Sequence, residues 1–288
     1  MLDSELYEND FENSWCPGCG NFPLRNALKK AFVASDITPN EVVVVSGIGQ
    51  AAKMPHYMNC NFFNGLHGRA LPPAQAIRIA DPDLQVVVTT GDGDCYGEGG
   101  NHFLHAIRRN LNITVIVHDN QIYGLTKGQG SPTTAFGQIT PMQIHGVASM
   151  PMNPIALAVS QGCGFVARGF IGEEEHLVHL IRQGIAYNGF ALIDVLQPCV
   201  SFNKVNTFAW YAKRCEKISE EHDYSDINAA FKLSLEFGDS GIPIGVIYRN
   251  DKLQPFEEVH NVMMNLTEPL AEMKRCPQDV LPFLKEFI

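Results

Sequence analysis

The 288-residue chain carries 31 acidic and 21 basic side chains, and its formal net charge of −10 excludes a generally basic surface able to displace counterions from nucleic acid. Its 45% hydrophobic and 18% charged content is that of a globular protein, one large domain or one with a smaller appendage, and excludes a disordered chain. No apolar run reaches the ~20 residues that span a bilayer, and the acidic start Met1-Leu2-Asp3-Ser4-Glu5 lacks the features of a signal peptide, so a cytoplasmic protein with no nucleic-acid or membrane partner is expected.

Residues 23–34 place Leu24, Ala27, Leu28, Ala31 and Phe32 at helical spacing, which predicts an amphipathic helix. Residues 41–46 form a continuous β-branched run, read as a buried strand that ends in the loop Gly47-Ile48-Gly49. A helix over 74–80 leads into an apolar strand over 85–90, and a helix over 99–110 into another over 113–117. The loop 125–152 is rich in Gly, Thr, Pro and Gln, and loops of that length are functional or disordered. Asn153 is a candidate N-cap, and Pro154 suits the first turn of a helix over 154–160. A strand near 165–167, a helix over 174–185 and a strand over 191–195 continue the alternation. Beyond Phe202 the pattern weakens into helical segments at 207–215 and 226–236, a short strand over 243–247 and a terminal helix. Strand–helix alternation with continuous apolar strands predicts an α/β fold, a mostly parallel, doubly wound sheet covered on both faces.

The most informative segment is Gly91-Asp92-Gly93-Asp94 at the end of the strand over 85–90, followed by Asp119-Asn120-Gln121-Ile122 after the next strand. Gly-Asp-Gly alone is most often an ordinary turn. Two polar sets at carboxyl ends of two strands change that reading, because open α/β sheets bind ligands there. Asp92 offers a carboxylate oxygen, Asn120 an amide oxygen and Ile122 a backbone carbonyl, all hard ligands that suit one octahedral Mg2+. A diphosphate supplies the remaining oxygens. Strand, Gly-Asp-Gly, helix, strand and Asn turn together form the pattern by which thiamine-diphosphate enzymes hold cofactor and metal.

Eight cysteines in a chain expected to be cytoplasmic are not a disulfide framework. Cys16 and Cys19, two residues apart, suit zinc, an iron–sulfur cluster or a redox disulfide. No strand precedes Cys16, as a thioredoxin-type motif would require. Cys199 follows the strand over 191–195 and so lies on the same carboxyl-end face as Asp92 and Asn120. Thiolates close to an organic electron source suggest electron transfer, which zinc cannot perform, although free cysteine is often only a small buried hydrophobe. Cys95, Cys163, Cys215 and Cys276 have no ligand spacing and read as core or surface thiols.

The motifs Trp15-Cys-Pro-Gly-Cys-Gly20, Gly65-Leu-His-Gly-Arg69, Gly91-Asp-Gly-Asp94, Gly99-Gly-Asn-His102, the run 119–129 and Gln197-Pro-Cys-Val200 resemble the β subunit of 2-oxoacid:ferredoxin oxidoreductases. The likeness runs over about 15–203 and more loosely to the end. It implies that residues 1–203 form a thiamine-diphosphate-binding α/β domain carrying the iron–sulfur ligand segments, with 204–288 a C-terminal extension packed on it. Asp92, Asn120 and the Ile122 carbonyl would bind Mg2+, and Cys16, Cys19 and Cys199 a 4Fe-4S cluster. His67 and Gly91, Asp92, Gly93 and Asp94 would lie against the cofactor, with Leu125 and Thr126 near the diphosphate and substrate. Cys19, Gly49 and Gly124 complete the expected cofactor set. Lys53 matches a basic position suited to the substrate carboxylate, the one catalytic assignment, and Arg69 has a similar status.

One departure stands out. The family loop reads Gly-Ile-Gly-Cys, its cysteine being the fourth cluster ligand, whereas here it reads Gly47-Ile48-Gly49-Gln50. An amide oxygen replaces a thiolate poorly toward iron. Cys60, ten residues on, could substitute only if that loop folds back. The resemblance further implies coenzyme A-dependent oxidative decarboxylation of a 2-oxoacid, with electrons passing through the cluster to ferredoxin. An α subunit would supply the activating glutamate and much of the coenzyme A site, making the chain part of a heteromer. A non-oxidative thiamine-diphosphate decarboxylase or lyase subunit and a scaffold subunit with structural zinc are the alternatives.

Overall fold

The computed structural model describes residues 2–274 and 276–285. Eight strands, β1 (Val42–Ser46), β2 (Asn61–Asn64), β3 (Gln85–Gly91), β4 (Ile113–Asp119), β5 (Phe165–Phe170), β6 (Phe190–Leu196), β7 (Cys215–Lys217) and β8 (Ile242–Arg249), form one sheet in the order β2-β1-β3-β4-β6-β5-β8-β7. All neighbours are parallel except β5 and β8. Strands β1, β3, β4, β6 and β5 are almost wholly buried. That is why they read as unbroken apolar runs rather than alternating ones.

Helices α1 (Asn21–Ala34), α2 (Leu71–Ala80), α3 (Gly100–Arg109), α4 (Pro154–Ser160), α5 (Glu174–Ala186), α6 (Phe208–Ala212) and α7 (Ile227–Ser234) cover both faces of the sheet. Val42 and Val44 of β1 point into the core that contains Leu24 and Leu28 of α1 and Leu177 and Ile181 of α5. Val43 and Val45 point the other way, into the core with Ala74 of α2, Phe103 of α3 and Ile155 of α4. The period of two along the strand divides one apolar run between two cores. The Asn153 side chain caps α4 by accepting from the Ala156 N–H, 2.9 Å.

Two strands depart from the sequence reading. β2 is an exposed edge strand, with Phe62 and Phe63 about half exposed, and is defined by backbone pairing to β1 rather than by burial. The helix expected over 207–215 stops at Ala212, and Cys215–Lys217 pairs with β8 instead. Residues 242–249 make a longer strand than expected, inserted between β5 and β7, so the C-terminal segment extends the main sheet. Among the described residues no helix is long and apolar enough to cross a membrane.

The strand order determines where a ligand can bind. From β1 the chain turns outward to β2, then returns to β3 on the other side of β1. The loops after β1 and β3 therefore diverge, and the crevice they leave is the usual ligand position of an open parallel sheet.

Candidate cofactor cleft and thiol pocket

That crevice is an open cleft. Ile48, Gly49 and Gln50 wall it after β1, Gly91 to Asp94 after β3, and Asn120 with residues 122–126 after β4, with His67 beside them. Eleven of the expected cofactor residues thus meet in one place: Gly49, His67, Gly91, Asp92, Gly93, Asp94, Asn120, Ile122, Gly124, Leu125 and Thr126. The twelfth, Cys19, lines the neighbouring pocket.

Asp94 ties these loops together. Its Oδ1 accepts from the backbone N–H of Ile48 (3.1 Å) and of Gly68 (2.7 Å) and meets His67 Nδ1 at 2.6 Å, while its Oδ2 accepts from Thr90 Oγ1 at 2.6 Å. A Cβ on Gly47 would sit 2.1 Å from Asp94 Oδ2, so only glycine lets the first loop approach this carboxylate. Asp94 is the second residue of a π-helical turn, Gly93–Glu98, that runs into α3. Such turns occur mostly at functional sites.

Asp92 is 2% exposed, and its Oδ2 accepts from Ser131 Oγ (2.5 Å) and Thr133 Oγ1 (2.7 Å). Burial raises its pKa and the two hydroxyls oppose that shift. Thr133 Oγ1 also lies 2.8 Å from Asp119 Oδ1, and one hydroxyl proton cannot serve two carboxylates. Burial, with Asp194 and Asp92 nearby, pushes the Asp119 pKa well above its ordinary value. Asn120 Oδ1 accepts from the Ile122 N–H at 2.9 Å, folding 120–122 into a tight turn on the cleft that Asp92 also lines. A carboxylate, an amide oxygen and a backbone carbonyl beside a glycine-lined crevice fit a hard cation and the diphosphate it bridges.

Sequence reasoning missed the residues that hold these ligands. Ser131, Thr133 and Thr134 come from the loop 125–152, where Thr134 Oγ1 also donates to the Gln121 carbonyl at 2.6 Å. Their signal was the hydroxyl-rich string Ser131-Pro132-Thr133-Thr134, legible only as polar loop. Glu98 was also missed, and it receives His67 Nε2 at 3.1 Å and the Tyr123 hydroxyl at 3.0 Å at the cleft rim.

A second cleft contains Cys16, Cys19 and Cys199. Gln50, Asn120 and Gly124 line both clefts, so the thiols stand directly behind one wall of the first. A Cβ on Gly124 would lie 3.8 Å from Cys199 Sγ. Cys19 is pushed up to about 11, chiefly by burial and, beyond that, by the neighbouring Cys199 and Cys16, while the Asn21 backbone N–H opposes the shift. Among the described residues, no three His, Cys, Asp or Glu side chains converge on a single ion position. Cys60 is not part of this pocket: it packs against the core and lines another cleft with Asn9, Phe11 and His56. Burial pushes its thiol up to about 12.

Lys53 is not brought into the cofactor cleft. It sits on the 3-10 turn Ala51–Tyr57, and its Nζ donates to Ser14 Oγ at 2.9 Å. Arg69 lies against His102 instead of the cleft.

A larger cavity opens on the far side of Asp119 and contains Arg168 and Asp194. Asp194 Oδ2 accepts from the Tyr96 hydroxyl at 2.7 Å, and burial pushes its pKa up to about 6 against the pull of Tyr96 and the Arg168 guanidinium. Because the folded pKa lies above the ordinary 3.8, stability tied to the protonated form is complete below pH 3.8 and lost as pH rises through about 6. Asp194→Asn keeps the acceptor for Tyr96 and removes the titration. Calorimetric melting of the variant is expected to fall less than that of the parent chain across this pH window, and parallel falls would sink the assignment.

Residues 40–195 match the family described as thiamine pyrophosphate enzyme, C-terminal TPP binding domain, and 199–265 match the C-terminal family of the pyruvate ferredoxin oxidoreductase beta subunit. The chain is 45% identical over 259 residues to the 2-oxoacid:ferredoxin oxidoreductase subunit beta of a Sulfolobus species, covering 85% of each. It belongs to the 2-oxoacid:ferredoxin oxidoreductase β-subunit family. The β subunit of Saccharolobus solfataricus is 42% identical over 85% of each chain. A solved structure of 2-oxoglutarate:ferredoxin oxidoreductase from Magnetococcus marinus, with 2-oxoglutarate, coenzyme A and succinyl-CoA bound, superimposes with a TM-score of 0.90 at 32% identity, covering 98% of this chain and 96% of the other. The cleft after β1, β3 and β4 thus lies in the thiamine-pyrophosphate-binding domain of a β subunit.

Proposed function

We propose that this β subunit holds thiamine diphosphate and Mg2+ for the coenzyme A-dependent oxidative decarboxylation of a 2-oxoacid, and passes the electrons through an iron–sulfur cluster to ferredoxin. One observation carries this reading: the three thiols and the cofactor cleft share the wall of Gln50, Asn120 and Gly124. When bound, the cofactor supplies the carbon nucleophile and electron sink for removing carbon dioxide from a 2-oxoacid. Asp92, Asn120 and the Ile122 carbonyl are the residues that would hold Mg2+, with Ser131 and Thr133 keeping Asp92 in place. Cys16, Cys19 and Cys199 would hold the cluster.

The glutamate for cofactor activation and the coenzyme A site would come from an α subunit, a partner that the subunit-beta names of the relatives imply. The test is anaerobic turnover of the copurified complex with a 2-oxoacid, coenzyme A and a one-electron acceptor. Acceptor reduction is expected. Aldehyde release without reduction would instead favour the non-oxidative reading, to which Gln50 lends its only support.

Lys53 is the proposed partner of the substrate carboxylate, because it matches a basic position of the β-subunit family. The ammonium donates to Ser14 Oγ, a bond it must give up to serve. Losing one charge-assisted hydrogen bond is worth about 1.5–3 kcal/mol, so Lys53→Ala is expected to raise KM for the 2-oxoacid about 10- to 100-fold. An unchanged KM would remove Lys53 from the site.

A further inference from the structure

The thiol pocket offers three thiols to a cluster with four iron corners, and this inference rests on the cluster reading above. Gln50 stands where the fourth thiolate is expected, and the structure limits what can replace it. The Gln50 backbone carbonyl accepts from Trp15 Nε1 at 2.8 Å, which fixes the turn against the Cys16 segment. Its carboxamide oxygen is buried with no hydrogen-bond partner. Around the pocket no Asp, Glu or His contributes to the wall. Asn21 Oδ1 is committed to His118 Nδ1 (2.9 Å) and Gln197 Nε2 (2.7 Å), and the Ser201 hydroxyl donates to Cys16 Sγ at 3.2 Å. Cys60 lies in a different cleft. Every candidate for an anionic fourth ligand from this chain is therefore absent from the described wall or already engaged.

We propose that Cys16, Cys19 and Cys199 bind an open-corner cluster, a 4Fe-4S cubane whose fourth iron faces Gln50 without a protein thiolate and departs on mild oxidation. The neutral, hard carboxamide oxygen binds such an iron weakly compared with the soft thiolates at the other corners. Because Gln50 also lines the thiamine cleft, the open corner is the one turned toward that cleft. The step balances with a one-electron oxidant such as ferricyanide. The cubane of core charge 2+ releases one ferrous ion, breaking that iron's bonds to three sulfides and to its weak oxygen ligand, and gives up one electron. A three-iron, four-sulfide core of charge 1+ remains on the three cysteines, and ferricyanide is reduced to ferrocyanide. No iron–thiolate bond breaks.

The test uses the full chain purified anaerobically with the partner that copurifies, alongside a Gln50→Cys complex prepared in the same way. Each is titrated with one equivalent of ferricyanide per cluster, and released ferrous iron, bound iron and sulfide, and EPR spectra are measured. The expected result is loss of one iron per cluster and the EPR signal of an oxidised three-iron cluster in the parent complex. Ferrous iron with a reductant reverses the change, and Gln50→Cys keeps four irons and shows no such signal. Four irons retained in both complexes, or three-iron conversion in both, would overturn the open corner while leaving the oxidative function intact. Thiamine diphosphate bound with no iron or sulfide would overturn the cluster itself, and with it this inference and the electron route proposed above.

Discussion

Asp92→Asn is expected to lose Mg2+-dependent thiamine diphosphate binding by more than the ~100-fold typical of changes one shell out from a metal, while the chain stays folded. The substitution removes a metal-binding charge but keeps an oxygen that can accept from Ser131 and Thr133. Asp92→Ala removes both, leaving two buried hydroxyls without that acceptor, and should cost a further ~1–3 kcal/mol of apo stability. Titration calorimetry with thiamine diphosphate at saturating Mg2+, set beside thermal melts of the apo chains, separates the two effects. Binding by the Asn variant within tenfold of the parent chain would mean that the cation is held elsewhere. Asp94 differs in kind, because four groups from two loops and the end of β3 converge on its carboxylate, which positions the cleft walls.

Cys199→Ala is expected to abolish reduction of one-electron acceptors and to strip the cluster, with thiamine diphosphate binding retained. The side chain is only half-buried, at the edge of the pocket, so apo stability should move by about 0.5 kcal/mol or less. Iron and sulfide analysis, acceptor reduction and cofactor titration on the copurified complex give the three readouts. Undiminished acceptor reduction with iron lost would show that electrons leave by a path that bypasses these thiols. Cofactor binding lost together with iron would show instead that the shared wall of Gln50, Asn120 and Gly124 cannot stand without the cluster.

The polar sets that line the cleft were legible because their chemistry is local. Gly91 to Asp94 and Asn120 to Ile122 each follow a strand whose apolar character is written in consecutive residues, and strand ends of a parallel sheet point one way. Strand β2 was illegible for the opposite reason: Asn61-Phe62-Phe63-Asn64 has no burial pattern, and only pairing to β1 makes it a strand. The hydroxyls of Ser131 and Thr133 were hidden because they reach Asp92 across about 40 residues of chain, a distance no spacing rule encodes.

By itself the sequence determined the α/β class, the alternation of strands and helices, the candidate metal-ligand set and the glutamine at position 50, since each depends on residue type and near-neighbour order. Tertiary structure alone decided the strand order, the crevice between the β1 and β3 loops and the absence of Lys53 from it. It alone decided the wall shared by the two clefts and the removal of Cys60 from the cluster question. The physical reason is that local propensity and burial act along the chain. Which loops meet is settled by sheet topology and by side-chain hydrogen bonds between segments far apart in sequence.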